Sequence, residues 1–252
     1  MASRKRHFST VSISKKRCMQ ATIDSFTVSK TSTAATSRQH STAFSSSSSH
    51  IDSNFKVYID ANDSMLTTRK FDDVRLLENC VKEIQEAPPE HQLVKNPPIK
   101  LYGKEFRQKR DVGFYSDMGK GYSYSGQTTP VNTFESFPSL KKLLDRINLM
   151  FDSSFDGILV NYYKNGEDKI ARHNDKQDVD QKCGVVAISY GASRKFRVSD
   201  CQGKKLLDIP TETGQIIHMS GNFQKHYYHE VVLEKKVTQP RYSFTFRKHS
   251  CC

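Results

Sequence analysis

The sequence lacks any long apolar run, and this absence bears directly on the class of protein. No stretch approaches the ~18 to 20 consecutive apolar residues that a helix needs to cross a bilayer. The first residues also lack the apolar core of a secretory signal peptide. From these two absences we expect a soluble, intracellular protein that does not enter a membrane.

Closely spaced cysteine pairs of the kind that bind zinc are also missing. The chain contains six cysteines, but none of them form the C-x-x-C spacing that is typical of zinc-binding modules. We therefore expect no structural zinc site.

Acidic residues are scarce at the N-terminal end. Residues 1–50 hold eight Lys or Arg and one acid, a charge of +7, and the remaining residues hold 31 basic and 26 acidic side chains, a charge of +5, which together give the net charge of +12. A moderately basic domain with a strongly basic arm suits a polyanionic partner such as nucleic acid. The same charge would also serve solubility, so it does not decide between the two interpretations.

Residues 1–54 are predicted to form a disordered tail. Residues 1–50 include 21 Ser or Thr and few large apolar side chains, so they cannot bury enough surface to offset the entropy lost on ordering. Two basic clusters, Arg4-Lys5-Arg6 and Lys15-Lys16-Arg17, are typical of a bipartite nuclear-import signal and predict a nuclear protein. A solvated basic tail has the same composition.

A second motif in the tail concerns a protein partner. Gln20, Ile23 and Phe26 have the spacing of peptides that dock on the sliding clamp PCNA, in which the aliphatic and aromatic residues share one turn of 3₁₀ helix. Thr27 stands where such peptides usually carry a second aromatic residue, which should weaken docking. A chance match in low-complexity sequence is the alternative.

Hydrophobic periodicity predicts two helices and a series of short strands. Apolar residues recur with the helical period from Phe71 to Glu86, before Pro88-Pro89, and again from Pro138 to Phe151. From Gly157 onward, strand-like runs separated by Gly, Asp and Asn turns favour a sandwich or barrel. The predicted strands are Ile158–Tyr163, Val185–Tyr190, Lys195–Val198, Gly214–Met219, Tyr227–Leu233 and Tyr242–Arg247.

His173 and Asp175 are the strongest candidates for metal ligands. On an extended strand, side chains two residues apart point to the same side, so these two can bind one ion. Two histidines and one carboxylate that leave other positions open are typical of non-haem Fe(II) oxygenases. From the residues alone, the third ligand can be His229, His226 or His218.

Further motifs surround these residues. Arg241 begins the segment Arg241–Arg247 and offers a planar fork that binds a carboxylate through two hydrogen bonds. Asn161-Tyr162-Tyr163 ends an apolar strand. Together with Gly103-Lys104, Tyr122–Gly126 and Ile188–Ala192, these segments make the region from Ile99 to His249 resemble the AlkB family of Fe(II)/2-oxoglutarate-dependent dioxygenases, most of all its duplex-DNA repair branch.

The resemblance implies an α+β, mainly β fold. Its core would be a double-stranded β-helix (jelly roll), with supporting N-terminal helices and a nucleotide-recognition lid of hairpins. Residues 55–156 would form the helical support and the lid, and residues 157–252 the double-stranded β-helix with the iron and 2-oxoglutarate site.

The resemblance also implies which residues bind Fe(II) and 2-oxoglutarate. The metal ligands would be His173, Asp175 and His229, since the spacing of His229 to Arg241 matches the family pattern. Arg241 would pair with the distal carboxylate of 2-oxoglutarate. Ser243 stands where the family often has Asn, and it is a shorter donor. The pocket would be completed by Asn161, Tyr163, Thr245 and Arg247.

Base recognition is implied for a third group of residues. Tyr102, in the hairpin Ile99–Lys104, would enter the stack as an apolar wedge, and Tyr124 and His173 would sandwich the flipped base. Tyr122 and Ser125 would lie at its edge, and Arg110 would guide it. A half-buried hairpin face would account equally well for the two tyrosines.

Two departures from the family pattern affect the substrate. Gln177 stands where an acidic residue usually meets the substrate amine, so it accepts a hydrogen bond without supplying charge. Glu234 replaces an expected basic residue beside the lysines that would grip the opposite strand, which leaves a single-strand or RNA preference open. The residues implied in that grip are Gly203, Lys204, Lys235 and Lys236, although a solvated face has the same composition.

The implied activity is oxidative repair of alkylated DNA. A monomeric enzyme would flip 1-methyladenine or 3-methylcytosine out of double-stranded DNA and hydroxylate the N-alkyl group, releasing formaldehyde, succinate and CO₂. The alternatives are the same chemistry on single-stranded DNA or RNA, and a non-catalytic nucleic-acid-binding module recruited by the clamp. The preference among methylated adenine, methylated cytosine and etheno adducts does not follow from the sequence.

Overall fold

In a computed structural model of the protein, the structure describes residues 55–101, 103–119, 121–124, 127–175 and 183–249. The predicted tail 1–54, with its basic clusters and clamp motif, lies outside these residues. Tyr102, Ser125 and Gln177 also lie outside them, and only the backbone is described at Tyr122 and Tyr124.

The described residues form sixteen strands and three α-helices. The helices are α1 (Val74–Glu86), α2 (Pro138–Phe151) and the short α3 (Phe223–His226), with 3₁₀ turns at Pro89–His91 and Phe134–Ser136. The strands are β1 (Lys56–Ala61), β2 (Ser64–Lys70), β3 (Pro98–Leu101), β4 (Lys104–Arg107), β5 (Asp111–Tyr115), β6 (Tyr122–Tyr124), β7 (Gln127–Thr129), β8 (Val131–Asn132), β9 (Gly157–Tyr163), β10 (Ile170–His173), β11 (Val185–Gly191), β12 (Lys195–Asp200), β13 (Lys205–Pro210), β14 (Gln215–Gly221), β15 (Tyr227–Val231) and β16 (Arg241–Arg247).

Two sheets form the core of the fold. The large sheet has eight strands in the order β1-β2-β14-β11-β16-β9-β5-β8, and the small sheet has four in the order β10-β15-β12-β13. The hairpins β3–β4 and β6–β7 stand outside both sheets as separate two-stranded units. The predicted jelly-roll architecture with additional hairpins is confirmed. No helix among the described residues is long and apolar enough to cross a membrane.

The large sheet extends beyond the segment predicted to build it. Its strands β1, β2, β5 and β8 come from residues 55–156, which the sequence predicted as helical support and lid. Strand β2 pairs with β14 along its whole length, although its sequence SMLTTRK lacks a clear apolar alternation. This pairing depends on a partner far along the chain, which local periodicity does not register.

Strand β16 separates the helical core from the interior between the sheets. Side chains alternate across a strand, so every second residue points to the same face. Tyr242, Phe244 and Phe246 are buried in the core cluster that also contains the apolar stripes of α1 and α2. The alternate residues, Arg241, Ser243, Thr245 and Arg247, face the other way and line a cavity.

The helices confirm the periodicity analysis. Helix α2 has the predicted bounds and buries Leu140, Leu143, Leu144 and Ile147 against the sheet. Helix α1 begins at Val74, three residues later than predicted, because the Asp73 carboxylate accepts a hydrogen bond from the backbone N–H of Leu76 at 3.1 Å and caps it there.

Candidate active site

A small cavity lies between the two sheets and is partly open to solvent. It measures ≈ 50 Å³ and is lined by side chains from β9, β11, β14 and β16 on the large sheet and from β10, β12 and β15 on the small one. All nine residues predicted to bind metal or 2-oxoglutarate line this cavity: His173, Asp175, His229, Asn161, Tyr163, Arg241, Ser243, Thr245 and Arg247.

His173, Asp175 and His229 converge in the cavity. The Nε2 atom of His173 lies 3.7 Å from Oδ1 of Asp175, and Nε2 of His229 lies 3.6 Å from Oδ2 of the same carboxylate. One ligand atom from each residue lies within 4.8 Å of the others. The pairing of His173 with His229 across β10 and β15 creates this approach, although β10 ends at His173 and Asp175 follows it outside the strand.

Neighbouring groups hold the three side chains in place. His173 directs Nδ1 toward the Ala171 carbonyl at 2.9 Å, which leaves Nε2 facing Asp175. The backbone N–H of Asp175 donates to Oε1 of Gln224 at 2.9 Å. The ring of Phe196 stacks on His229 with centroids 5.1 Å apart. Contacts of this second layer fix ligand orientation in metal sites.

The protonation states suit a metal ion. Burial lowers the pKa of His173, and it lowers the pKa of His229 to about 3, so both imidazoles are neutral near pH 7. Burial alone would raise the pKa of Asp175, but the neighbouring positive charges, Arg247 foremost, outweigh it and lower that pKa. Two neutral imidazoles and one ionised carboxylate are the forms that bind a divalent ion.

Arg247 contacts the candidate metal ligands directly. Its Nη2 donates to Oδ1 of Asp175 at 2.8 Å, and both side chains are buried. The sequence predicted Arg247 as part of the co-substrate pocket, and it does line the cavity. Its hydrogen bond to Asp175 adds a second capacity, which is to orient that carboxylate.

Arg241 is a buried cation on the opposite wall. It is 3% exposed, and its Nη2 donates to the Ser189 hydroxyl at 2.9 Å while its guanidinium lies over the Tyr163 ring at 5.1 Å. Its Nε and Nη1 atoms are buried without a hydrogen-bond partner, and no carboxylate among the described residues pairs with it. Burial lowers the pKa of Arg241. A buried charge without a counter-ion is costly, so this position favours an anionic ligand.

Strand register explains why the co-substrate candidates meet. Arg241 pairs with Tyr163 and Ser243 with Asn161 across β16 and β9, while Ser243 pairs with Ser189 across β11. Neighbours in register share a face of the sheet. The polar lining therefore forms a patch across three adjacent strands.

Arg110 links this patch to the predicted substrate side. It is buried at 6% exposure, and its Nε donates to Oδ1 of Asn161 at 2.7 Å. The sequence predicted Arg110 as a guide for the nucleotide, and the structure places it in the lining of the same cavity.

Other predicted residues lie away from the cavity. Gly203 and Lys204 are exposed in the turn between β12 and β13, and Lys235 and Lys236 are exposed in the turn after β15. Neither pair contributes to the cavity lining.

The competing histidines do not approach the candidate metal ligands. Nδ1 of His226 lies 3.0 Å from the Ser64 hydroxyl, and His218 packs edge-on against Phe151 with ring centroids 4.7 Å apart. Neither residue belongs to the three-residue cluster.

Three residues that shape the site were not among those predicted from the sequence. Ser189 lies in the motif Ile188–Ala192, where alternation with buried apolar neighbours could have identified it. Gln224 and Phe196 carried no such signal, because their contacts with Asp175 and His229 arise only from folding.

The side chains that line the cavity fit both Fe(II) and 2-oxoglutarate. Two imidazoles and a carboxylate on one side of an ion match the ligands of non-haem Fe(II) oxygenases. The unpartnered nitrogens of Arg241 on the opposite wall match the carboxylate of a 2-oxo acid.

Comparison with known proteins identifies the family. The model of the 2OG-Fe(II) oxygenase superfamily matches residues 64–247. The bovine protein named DNA oxidative demethylase ALKBH2 is 30% identical over 159 residues, which is 60% of this chain and 56% of that protein. The human protein named alpha-ketoglutarate-dependent dioxygenase alkB homolog 3 is 28% identical over 152 residues, 56% of this chain and 52% of that protein.

The chain spans about half the length of these relatives. A solved structure titled "The structure of OsALKBH1" superposes with a TM-score of 0.48 at 18% identity, covering 77% of this chain and all of that one. From the family match over residues 64–247, the chain belongs to the 2OG-Fe(II) oxygenase superfamily, and its cluster of His173, Asp175 and His229 fits the Fe(II) that this superfamily is named for.

Proposed function

We propose that the protein repairs DNA by oxidative demethylation, with 1-methyladenine and 3-methylcytosine in double-stranded DNA as its substrates. The products would be the repaired base, formaldehyde, succinate and CO₂. Relatives at 30% identity that are named DNA oxidative demethylases support this proposal. The basic net charge of +12 agrees with a polyanionic substrate.

The chain's residues would bind and orient the reactants. Fe(II) with 2-oxoglutarate and O₂ would supply hydroxylation of the methyl carbon, after which the hydroxymethyl group leaves the base nitrogen as formaldehyde. His173, Asp175 and His229 would hold the ion. Arg247 would keep the Asp175 carboxylate in place through its 2.8 Å hydrogen bond. Asn161, Tyr163, Ser243 and Thr245 would shape the co-substrate pocket around Arg241.

The observation that carries the proposal is the buried Arg241 facing the ligand cluster across one cavity. Nε and Nη1 of Arg241 have no partner among the described residues, so a carboxylate would satisfy both charge and hydrogen bonding. We expect Arg241→Gln to raise the KM for 2-oxoglutarate at least ~30-fold, since removing one member of a buried charge pair costs about 2 kcal/mol or more.

Formaldehyde release from methylated oligonucleotides tests the reaction. The assay contains Fe(II), 2-oxoglutarate and a duplex with one 1-methyladenine. His173→Ala and Asp175→Ala should reduce release to background, while the matched control His226→Ala should keep it, because His226 contacts Ser64 outside the site. Wild-type turnover in either ligand variant would overturn the proposal. Failure of the purified protein to bind Fe(II) would instead favour a non-catalytic, clamp-recruited module.

Duplex preference is a separate part of the proposal. Tyr102 follows β3 in the hairpin β3–β4, and it would replace the flipped base in the stack. Tyr102→Ala should therefore lower kcat/KM on a methylated duplex far more than on the matching single strand. Equal losses on the two substrates would favour the single-strand or RNA alternative.

Glu234 stands where the family pattern has a basic residue, which is why the sequence leaves a single-strand or RNA preference open. In the structure, the Glu234 carboxylate forms contacts within the protein. Its Oε2 accepts from the backbone N–H of Lys195 at 2.7 Å and lies 3.5 Å from Nε of the buried Arg194. Its charge is therefore largely balanced internally, and it gives no specific support to a single-strand preference.

Recruitment to the sliding clamp and a nuclear location are proposed from the tail. If Gln20, Ile23 and Phe26 dock on PCNA, a Phe26→Ala peptide should bind it more weakly than the parent peptide does. For import, replacement of Arg4, Lys5 and Arg6 by alanine should move a fluorescent fusion out of the nucleus. An unchanged affinity or distribution would contradict the respective proposal.

A further inference from the structure

A second, larger concavity lies beside the candidate active site and is strongly basic. It measures ≈ 450 Å³ and opens to solvent. Four cations line it, Lys95, Arg107, Lys109 and Lys164, and Asp168 is the one carboxylate in its lining. We refer to this feature as the basic groove. None of its residues has a role in the site described above.

The cations of the basic groove are available to a ligand. All four side chains are exposed, and none of them pairs with a carboxylate within the described part of the chain. Asp168 offsets one of the four charges and leaves the lining with a net charge of +3, and its Oδ2 is held by the backbone N–H of Lys164 at 2.8 Å. Four adjacent cations repel one another, so the groove favours a polyanion.

Backbone hydrogen bonds fix the shape of the basic groove. The Asn96 side chain donates to the Gln108 carbonyl at 2.9 Å, and the Gln108 N–H donates to the Pro97 carbonyl at 2.9 Å. The N–H of Lys169 donates to the Lys109 carbonyl at 3.0 Å, which ties the β9–β10 loop to the segment between β4 and β5. The cationic side chains therefore extend from backbone segments that hydrogen bonds hold in place.

The floor of the basic groove contains a polar group without a partner. Gln108 is 7% exposed, and its Oε1 is buried without a hydrogen bond to any described residue. Such a group is costly unless a ligand or water satisfies it. Oε1 is an acceptor and needs a donor, such as a base amine or a bound water, while Nε2 of the same amide can donate to a phosphate oxygen.

The basic groove and the active-site cavity share their supporting segments. Lys109 lines the groove, and the next residue, Arg110, lines the cavity. Tyr163 lines the cavity, and the next residue, Lys164, lines the groove. The two linings therefore come within one residue of each other along the backbone at two points, about 3.8 Å between Cα atoms, which places the groove close enough for the strand that delivers one nucleotide to the cavity to continue across it.

We propose that the basic groove binds the phosphodiester backbone of the nucleic-acid strand whose base enters the cavity. This inference rests on the proposed nucleic-acid substrate and adds a surface to it. A small anion would need a single focused pocket, whereas four cations spread over an open groove match successive phosphates. Contacts of this kind give affinity without base specificity and weaken with salt.

Charge neutralisation tests the groove in the full-length protein. The variant Lys95→Gln, Arg107→Gln, Lys109→Gln removes three cations. The control variant Lys82→Gln, Lys142→Gln, Arg146→Gln removes the same charge from exposed positions on α1 and α2. Binding of a fluorescently labelled, unmodified oligonucleotide is measured by anisotropy between 50 and 300 mM KCl.

We expect the groove variant to bind at least tenfold more weakly at low salt. The slope of log affinity against log salt concentration should become less negative by about 2 to 3, since each lost phosphate contact removes ~0.7 to 0.9 from its magnitude. The control variant should keep the slope of the parent protein. An equal loss in both variants would show only an effect of net charge and would overturn the proposal.

Catalysis separates this proposal from the proposed function. The groove variant should lose kcat/KM on a methylated oligonucleotide while turning over a methylated mononucleotide at the parent rate. Unchanged binding and turnover on oligonucleotides would overturn the groove alone. Absence of demethylation by the parent protein would overturn the proposed function, while the binding measurement would still decide the groove.

Discussion

At the scale of single residues, the Ser189 hydroxyl has a defined task in the co-substrate pocket. It accepts a hydrogen bond from Nη2 of Arg241 at 2.9 Å. The Nε and Nη1 atoms of Arg241 are buried without a hydrogen-bond partner among the described residues, and the side chain lines the cavity. Ser189 thus sets the direction in which the fork presents itself.

We predict that Ser189→Ala weakens 2-oxoglutarate binding without removing it. Loss of one hydrogen bond to a charged group costs about 1.5 to 3 kcal/mol, so the KM for 2-oxoglutarate should rise roughly 10-fold or more. The kcat at saturating co-substrate should change little. Steady-state kinetics with varied 2-oxoglutarate checks this, with the exposed Ser136→Ala as control. An unchanged KM would contradict it.

The residues of the candidate site could be predicted from their chemistry, whereas the residues that hold them in place could not. His173, Asp175, His229 and Arg241 carry chemistry that is visible in the sequence, and the cavity contains all four. The hydrogen bond from the Asp175 backbone to Gln224 joins residues 49 positions apart. No local pattern predicts such a contact, because it depends on how β14, α3 and the segment after β10 pack.

At the scale of elements, the β9–β10 loop is held by unusually close backbone contacts. The buried Arg194 donates to the carbonyls of Asn165 at 2.9 Å and Asp168 at 2.8 Å. Gly166 donates through its N–H to the Val237 carbonyl at 2.7 Å and accepts from the N–H of Glu234 at 2.9 Å. This loop connects Tyr163 to the strand that ends in His173, so its position affects both walls of the cavity.

We predict that Gly166→Ala destabilises the protein strongly. An added Cβ would lie 1.8 Å from the Glu234 carbonyl oxygen, and backbone atoms cannot rotate away as a side chain would. Overpacking of this kind costs on the order of 3 kcal/mol. The melting temperature should fall by roughly 6 to 12 °C for a domain of this size.

Calorimetry or a thermal shift measurement checks this prediction against Gly119→Ala. Gly119 has φ +68° but nothing within 4 Å of an added Cβ, so its substitution carries only the cost of a left-handed backbone, about 1 to 2 kcal/mol. Equal losses at the two glycines would show that the contact with Glu234 is not the cause.

Elements with strong periodicity were predictable, and edge elements were not. Helix α2 and strand β16 have the bounds that their apolar patterns predict to within one residue, because each buries a full face against the core. Strands β1 and β13 lie at the edges of their sheets, where exposed polar residues interrupt the alternation. Apolar alternation arises because one face of a strand is buried, so the sequences of weakly buried strands show little alternation.

At the scale of the whole molecule, charge is the property with the widest reach. Residues 1–50 contribute +7 of the net +12, and the described domain adds the exposed lysines of its turns and of the basic groove. Such a distribution attracts a polyanion over distances of about a Debye length, ~8 to 10 Å at physiological salt.

We predict that the tail's basic clusters accelerate and tighten nucleic-acid association without acting in chemistry. Replacing Arg4, Lys5, Arg6, Lys15, Lys16 and Arg17 by glutamine lowers the net charge by six. Affinity for an oligonucleotide should fall and its salt dependence should flatten, while kcat on saturating substrate stays the same. Stopped-flow binding at 50 and 200 mM KCl measures this, and an association rate that matched the parent's at both salts would contradict it.

The overall architecture was predictable only through resemblance. Short strands from Gly157 onward favour a sandwich or barrel, but several jelly-roll and barrel topologies satisfy the same pattern. The strand order, which places β2 beside β14 and β16 beside β9, depends on pairings between segments far apart in sequence. Local propensity does not contain that information.

Strand β16 has both faces committed, with Phe244 and Phe246 packed toward the helices and Arg241 and Arg247 turned toward the cavity. A strand that is buried on both faces tolerates few substitutions, because each one disturbs either core packing or ligand binding. New substrate preferences in descendants of this chain should therefore arise in the hairpins and turns around the cavity, while Arg241–Arg247 stays nearly invariant.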